Sequence, residues 1–269
     1  MKYLYLAITI LCFTSCEDVI ELPLEEGPKR LVIDANINWK KGTDGAVQRI
    51  KLTESAGYYD TTVPAANGAT VKITNSSDVE FPFTENAMTG IYETATFVPE
   101  LNETYELTVT YKGEVFSAEE TLVPVVDIEY IEQSTENIVG EEVIKVEYFY
   151  IDPVDEVNFY INQFSYPSEY LFDYYGSRND EFSNGELNSV FELDDRLAPG
   201  NNLILYFYGA SEGYFNYFNL LQEQLSSRGP FGTPPASVKG NCINTTNPDN
   251  KPLGYFRLSE MTVTNYTIE

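Results

Sequence analysis

The 269-residue sequence contains no histidine. That absence removes the commonest general base near neutral pH, and with it Ser-His-Asp and Cys-His arrangements and every histidine-containing zinc site. Carboxylate chemistry survives, since a glycosidase needs only two facing carboxyl groups. Paired acids stand at Asp155 and Glu156, Asp180 and Glu181, and Asp194 and Asp195. They lie beside Pro, Gly or Asn in turn-like sequence and are expected to be solvated. GxSxG, Walker-type, HExxH and EF-hand patterns are also missing, so no cofactor or metal is expected.

Basic residues are few, 16 Lys and Arg against 42 Asp and Glu, for a formal charge of −26. A nucleic-acid partner is excluded on that balance, and an anionic bilayer would repel the same surface. Long apolar runs are missing too. The longest, Tyr3 to Phe13, falls well short of the roughly twenty residues a membrane-crossing helix needs. It follows Lys2 and precedes the small residues Thr14 and Ser15, which is the make-up of a secretory signal peptide.

Cysteines number three, at positions 12, 16 and 242. Cys16 closes "FTSC", which resembles the lipobox of bacterial lipoproteins, with bulky Phe13 three positions ahead of the cysteine. On that reading Cys12 leaves with the signal and the Cys16 thiol carries a lipid. Cys242 is then left without an intramolecular disulfide partner. It is expected to be a small buried apolar residue, and the fold must be held by its core. The membrane attachment that charge denies is supplied by acyl chains.

What is present is strand sequence. "QRIKLT" and "ATVKIT" alternate apolar and polar residues, "RLVIDANI" alternates poorly but is rich in β-branched residues, and "TYELTVTYKGEVFSAEETL" reads as two strands joined at Lys112 and Gly113. Further on come "EVIKVEYFYID", "VNFYINQF", "NLILYFYG", "LGYFRL" and "MTVTNYTI". Ser211 can cap a helix whose apolar face is Tyr214, Phe215, Tyr217, Phe218, Leu221 and Leu225, ended by Gly229 and Pro230. The expected architecture is mainly β. A lipoprotein signal peptide (1–15) and an acylated tether (16–28) precede an immunoglobulin-like β-sandwich (29–124). A second antiparallel β-rich domain (125–269) follows, with one packed helix near 211–227.

The 21 Tyr and 16 Phe suit strands that need large buried areas, and could also line a sugar or peptide cleft. Phe172, Tyr174 and Tyr175, in "YLFDYYGSRNDEF", lie beside turn residues and are the expected partner contact. Covering the sheet is the alternative role.

The cysteine followed by "DVIELPL", then "IKLTESAGYYD", "GATVKIT", "PFGTPPASVKGN" and "LGYFRLSE", together resemble the family labelled domain of unknown function 4249, outer-membrane lipoproteins of Bacteroidota. The resemblance spans nearly the whole chain after the signal. It implies an accessory role beside a TonB-dependent receptor and supplies no catalytic residues. It implies export to the cell surface, which Glu17 and Asp18 after the acylated cysteine match in character. It also implies that Thr61, in Asp60-Thr61-Thr62, is an O-glycosylation site. The expected function is thus a non-enzymatic outer-membrane lipoprotein assisting a TonB-dependent nutrient transporter. The alternatives are a carboxylate-based carbohydrate-active enzyme and a structural or adhesive surface lipoprotein.

Replacing Cys16 by Ala is expected to move the protein from the membrane to the soluble fraction, and intact-mass measurement of the wild type should give an acylated N-terminal Cys16. A free thiol there, or an N-terminus elsewhere, contradicts the assignment.

Overall fold

The computed structural model describes residues 27–167, 173–181, 183–226 and 237–269. Seven strands come first: β1 (Leu31–Lys40), β2 (Gln48–Glu54), β3 (Thr70–Asn75), β4 (Glu80–Glu85), β5 (Ile91–Thr94), β6 (Thr104–Tyr111) and β7 (Glu114–Thr121). Their burial follows the period of two that a strand imposes. β6 buries Tyr105, Leu107, Val109 and Tyr111. β1, whose sequence alternates poorly to the eye, buries Leu31, Ile33, Ala35 and Ile37 in strict alternation. The β6–β7 hairpin turns at Lys112 (φ 49°) and Gly113 (φ 82°), two positive-φ residues whose twist matches that of the flanking strands.

β4 pairs with β5 on one side and β3 on the other, and the strands on either side of it share one core. Tyr92, Phe97 and Tyr105 are fully buried there. The hydroxyl of Tyr92 donates to the Ala66 carbonyl at 2.8 Å and that of Tyr105 to the Val98 carbonyl at 2.9 Å. Each polar tip therefore enters the core with a partner.

The remaining elements are β8 (Tyr130–Ile138), β9 (Glu141–Ile151), β10 (Phe159–Ser165), β11 (Tyr174–Asn179), β12 (Leu187–Asp194), β13 (Asn202–Ala210), α1 (Glu212–Ser226), β14 (Ile243–Asn244) and β15 (Leu253–Thr267). The order β11-β10-β13-β15-β1-β2-β5-β4-β3-β6-β7-β14 makes one twelve-stranded sheet, and β12-β9-β8 makes a second. Between the second sheet and the β10-β13-β15 end of the first lies a core of aromatic rings. Phe207 stands 4.9 to 5.3 Å from Tyr148, Tyr150 and Tyr160.

β15 joins the two cores. The sequence suggests two strands, "LGYFRL" and "MTVTNYTI", separated by Ser259 and Glu260, but the structure has one strand of 15 residues. The polar pair does not interrupt it because both side chains are satisfied internally. Ser259 Oγ donates to the Gly209 carbonyl at 2.6 Å, and the Glu260 carboxylate accepts from the Val125 amide at 3.0 Å, with Lys41 Nζ 3.9 Å away. One edge of β15 runs parallel to β1 from Val32 to Lys40. The other edge is covered in succession by three different partners. The Asn241 side chain exchanges two hydrogen bonds with the Phe256 backbone, Val123 bridges Ser259, and β13 pairs from Met261 to Thr267. Even-numbered residues Phe256 and Leu258 enter the first core and Ile268 the second. The chain leaving β7 crosses over Gly209, where an added Cβ would stand 2.0 Å from the Pro124 carbonyl oxygen. Only glycine admits that approach.

Ser211 caps α1 by accepting the Tyr214 amide at 3.2 Å. The buried face of α1 is narrower than its sequence suggests, with Phe218 buried and Leu225 54% exposed. Gly229 and Pro230 lie outside the described residues.

Because β15 serves both cores, Phe256→Ala is expected to cost about 3–5 kcal/mol and to lower the urea midpoint of the whole protein in one transition. Two separate transitions, followed by circular dichroism and tyrosine fluorescence, would contradict the shared-strand account.

Candidate functional site

β15 is buried on both faces from Tyr255 to Met261, because Tyr255 and Arg257 lie under α1 and Ser259 under the Gly209 carbonyl. Strand register assembles the surface beside that helix. Gln163 stands opposite Tyr175 on one side and Tyr206 on the other, and Tyr206 opposite Val263. A parallel row holds Ser177, Ile161, Tyr208 and Met261. Ser177 Oγ donates to Asn219 Oδ1 at 2.6 Å, and Phe159 meets Phe215 with ring centroids 5.0 Å apart, so α1 is pinned over the second row. The first row remains at its margin, with Tyr175 42% exposed and Gln163 and Tyr206 partly so.

The rings of Tyr206 and Tyr208 are nearly parallel, 6.2 Å apart at 9°. Gln163 Nε2 donates to Asp173 Oδ2 at 2.8 Å, while its oxygen accepts from the Tyr208 hydroxyl at 3.3 Å, which fixes the amide. Behind them Arg257 is 6% exposed, its guanidinium 4.8 Å from the ring centroids of both Tyr208 and Tyr214. Its Nη2 donates to Asn38 Oδ1 at 2.6 Å. This buried cation is held by two ring faces and ties α1 to β13 and β1. Burial pushes the Tyr208 hydroxyl up to about 12, although the Arg257 charge opposes it. Tyr175 is raised by burial and then by the Asp173 charge. Both phenols are therefore neutral at physiological pH. The surface can stack flat apolar faces and exchange hydrogen bonds through phenol and amide groups, the chemistry that recognises a sugar ring or a peptide.

Of the residues singled out from sequence, Tyr175 belongs to this platform. It stands on edge strand β11 rather than in a loop, as does the backbone of Tyr174. Phe172 and Cys16 lie outside the described residues. Thr61 is exposed between β2 and β3, two residues beyond the exposed Tyr59. Cys242 is buried at 9% exposure and its thiol is pushed up to about 12 by burial. It borders a cavity of about 1180 Å³ that is also lined by Arg30 and Lys239.

The acidic pairs do not all behave alike. Asp155, Glu156, Glu181 and Asp195 are exposed, and Asp194 is held by Arg196. Asp180, expected in solvent, is instead 3% exposed, because its carboxylate accepts the Asn158 amide at 2.7 Å. It lies beside Asp152, which is 1% exposed and accepts from the Tyr160 hydroxyl at 2.7 Å. The Asp152 carboxyl is raised above its ordinary value by burial, with the Asp180 charge adding to the effect. Asp180 also lines a cleft of about 480 Å³ with Val157, Phe159 and Phe215. Among the described residues no group of three or more His, Cys, Asp or Glu side chains is placed to hold a metal, and no helix is long and apolar enough to cross a membrane.

A family model described as "Domain of unknown function (DUF4249)" matches residues 17–264. No curated protein matches the chain. Similar solved structures include a DUF4785 family protein from Legionella pneumophila, at 13% identity and a TM-score of 0.25, covering 66% of this chain and 52% of that one. Another is a two fibronectin type-III domain segment from chicken tenascin, at 10% identity and a TM-score of 0.20, covering 60% of this chain and 83% of that one. The chain spans about half the length of the Legionella protein.

A raised folded-state pKa means that the fold holds the Asp152 proton more tightly than the unfolded chain does. Its contribution is therefore most favourable below the ordinary value of 3.8 and is lost as pH climbs through the folded-state value. Asp152→Asn keeps an acceptor for Tyr160 and cannot ionise. The variant is expected to gain stability relative to the wild type as pH rises from about 4 to 7. Urea midpoints of both proteins across that range check it, and a constant difference would mean that Asp152 ionises normally in the fold.

Proposed function

The chain belongs to the family described as Domain of unknown function (DUF4249), and from that membership we propose that it is a non-enzymatic lipoprotein of a Bacteroidota outer membrane, acylated at Cys16, that acts as an accessory binding subunit beside a TonB-dependent nutrient transporter. The observation that carries the reading is the platform of Tyr175, Gln163 and Tyr206, backed by the buried Tyr208. The phenols of Tyr175 and Tyr208 are neutral and the Gln163 amide is fixed, and the nearby Asp173 carboxylate is already engaged by Gln163 and by the Tyr166 amide. Such a surface recognises without transforming. The tether from Cys16 keeps the body close to the membrane. Sharing that membrane with the transporter raises the effective concentration of each for the other, so a modest interface is well occupied.

A second reading, a carbohydrate-active enzyme, is favoured by one observation, the convergence of Asp152 and Asp180. Against it, the two carboxyls are 1% and 3% exposed and already bonded to Tyr160 and the Asn158 amide, which suits a structural pair better than an acid and a nucleophile reaching a glycosidic bond.

The test is purification of the tagged, membrane-anchored protein in mild detergent, with mass spectrometry of what accompanies it and assays of glycan hydrolysis on the same material. A TonB-dependent receptor in stoichiometric amount and no hydrolysis are expected. Isolation without any receptor, together with glycan cleavage abolished by Asp180→Asn, would replace the proposal with the enzyme.

A further inference from the structure

The outer face of the β12-β9-β8 sheet is bare, in contrast to the α1-covered face of the large sheet. Register places Tyr130 opposite Phe149 and Phe149 opposite Ser189, with Ile151 opposite Leu187 and Glu147 between Glu132 and Phe191. These residues share one side. Tyr130 stacks on Phe149 at 4.5 Å and is 42% exposed, with Phe191 at 48%, Ile151 at 53% and Leu187 at 53%. Four large apolar side chains together on one open sheet face mark an interaction surface rather than scattered exposure.

The edge beside that face is equally open. β8 ends its sheet, and among the described residues its nine-residue backbone takes no strand partner except β9. Its sequence, YIEQSTENI, contains neither the proline nor the lysine that ordinarily blunts an exposed edge. A row of unpaired backbone groups beside an apolar face is the template for strand addition. Charge selects the occupant. Glu132 stands directly opposite Glu147, a like-charge juxtaposition. The charge of Glu147 is answered by Lys145 at 2.6 Å and by the Ser189 hydroxyl at 2.6 Å. No ion pair is formed by Glu132 or by Glu136 further along the same face among the described residues. A second copy of the chain is a poor fit, because strand pairing through β8 would bring these glutamates together between two strongly acidic chains, the full sequence carrying a formal charge of −26.

We infer that β8 is a docking edge for an extended segment of another protein, which pairs with it as an added strand, places an apolar side chain beside Tyr130 and sets basic side chains against Glu132 and Glu136. The inference goes beyond the transporter reading and holds whichever protein supplies the strand.

The test uses the full-length protein in its own cell, with a photo-crosslinking amino acid at Ser134, at Ile138 or, as a control on an exposed aromatic elsewhere, at Tyr58. Crosslinks from Ser134 and Ile138 should fall in one basic segment of another protein. The crosslinked residue should shift by four along that segment between the two positions, as strand pairing demands. Changing Glu132 and Glu136 together to Lys should lower both yields at least about tenfold, with the thermal melt showing that the fold is intact. The proposal is overturned by equal yield from Tyr58, by no product from β8, by a peptide of this chain's own second copy, or by one partner residue serving both positions.

Discussion

A backbone amide buried without a partner is costly, and the need to satisfy both edges of β15 is the constraint on which the rest of this fold depends. One edge is answered by a single long neighbour, β1. The other is answered piecemeal, by an asparagine side chain, by the chain leaving β7 and by β13. Each of those pieces fixes something larger. Asn241 brings Cys242 against the first core, Val123 sets the path from one core to the other, and β13 positions the tyrosines of the platform. The separate cores are thus consequences of one strand finding partners.

Much of this was legible from the residues. Strand periodicity gave β2, β3, β6 and β7, Lys112-Gly113 gave their hairpin, and Ser211 gave the start of α1. What stayed hidden depends on distant partners. Ser259 and Glu260 look like a strand break because their partners, Gly209 and Val125, lie 50 and 135 residues away. Leu225 looks buried because a helical wheel cannot say how wide the sheet beneath it is. Of the platform, only Tyr175 was picked out. Gln163, Tyr206 and Tyr208 read as ordinary strand residues, and only cross-strand register brings them together. The clearest missed signal was Arg257, an arginine inside the otherwise apolar "YFRL". Asp180 reads as solvent-facing beside Asn179, yet it is buried because the amide that binds it, that of Asn158, is on another segment.

The chemistry of the molecule is conservative for so acidic a chain. Its half-buried Glu120 and buried Asp152 and Glu192 carboxyls are all raised by burial, and the first two rest on hydroxyl groups. Glu120 binds those of Ser211 and Tyr255, and Asp152 binds that of Tyr160. Tyrosine therefore fills the role that arginine or lysine takes in proteins richer in cations. It supplies apolar area to the core and a donor at the tip.

The distance between β1 and β15 also has a temporal meaning. Contacts such as that between Arg257 and Asn38 join residues 219 positions apart, and pairings so remote in sequence form slowly. The first sandwich cannot complete its core until Phe256 and Leu258 have been made and delivered. A nascent chain of this design stays open while it is being synthesised, and closes once β15 has been made and can pair with β1. The same arrangement that locks the finished body together leaves the unfinished one unlocked.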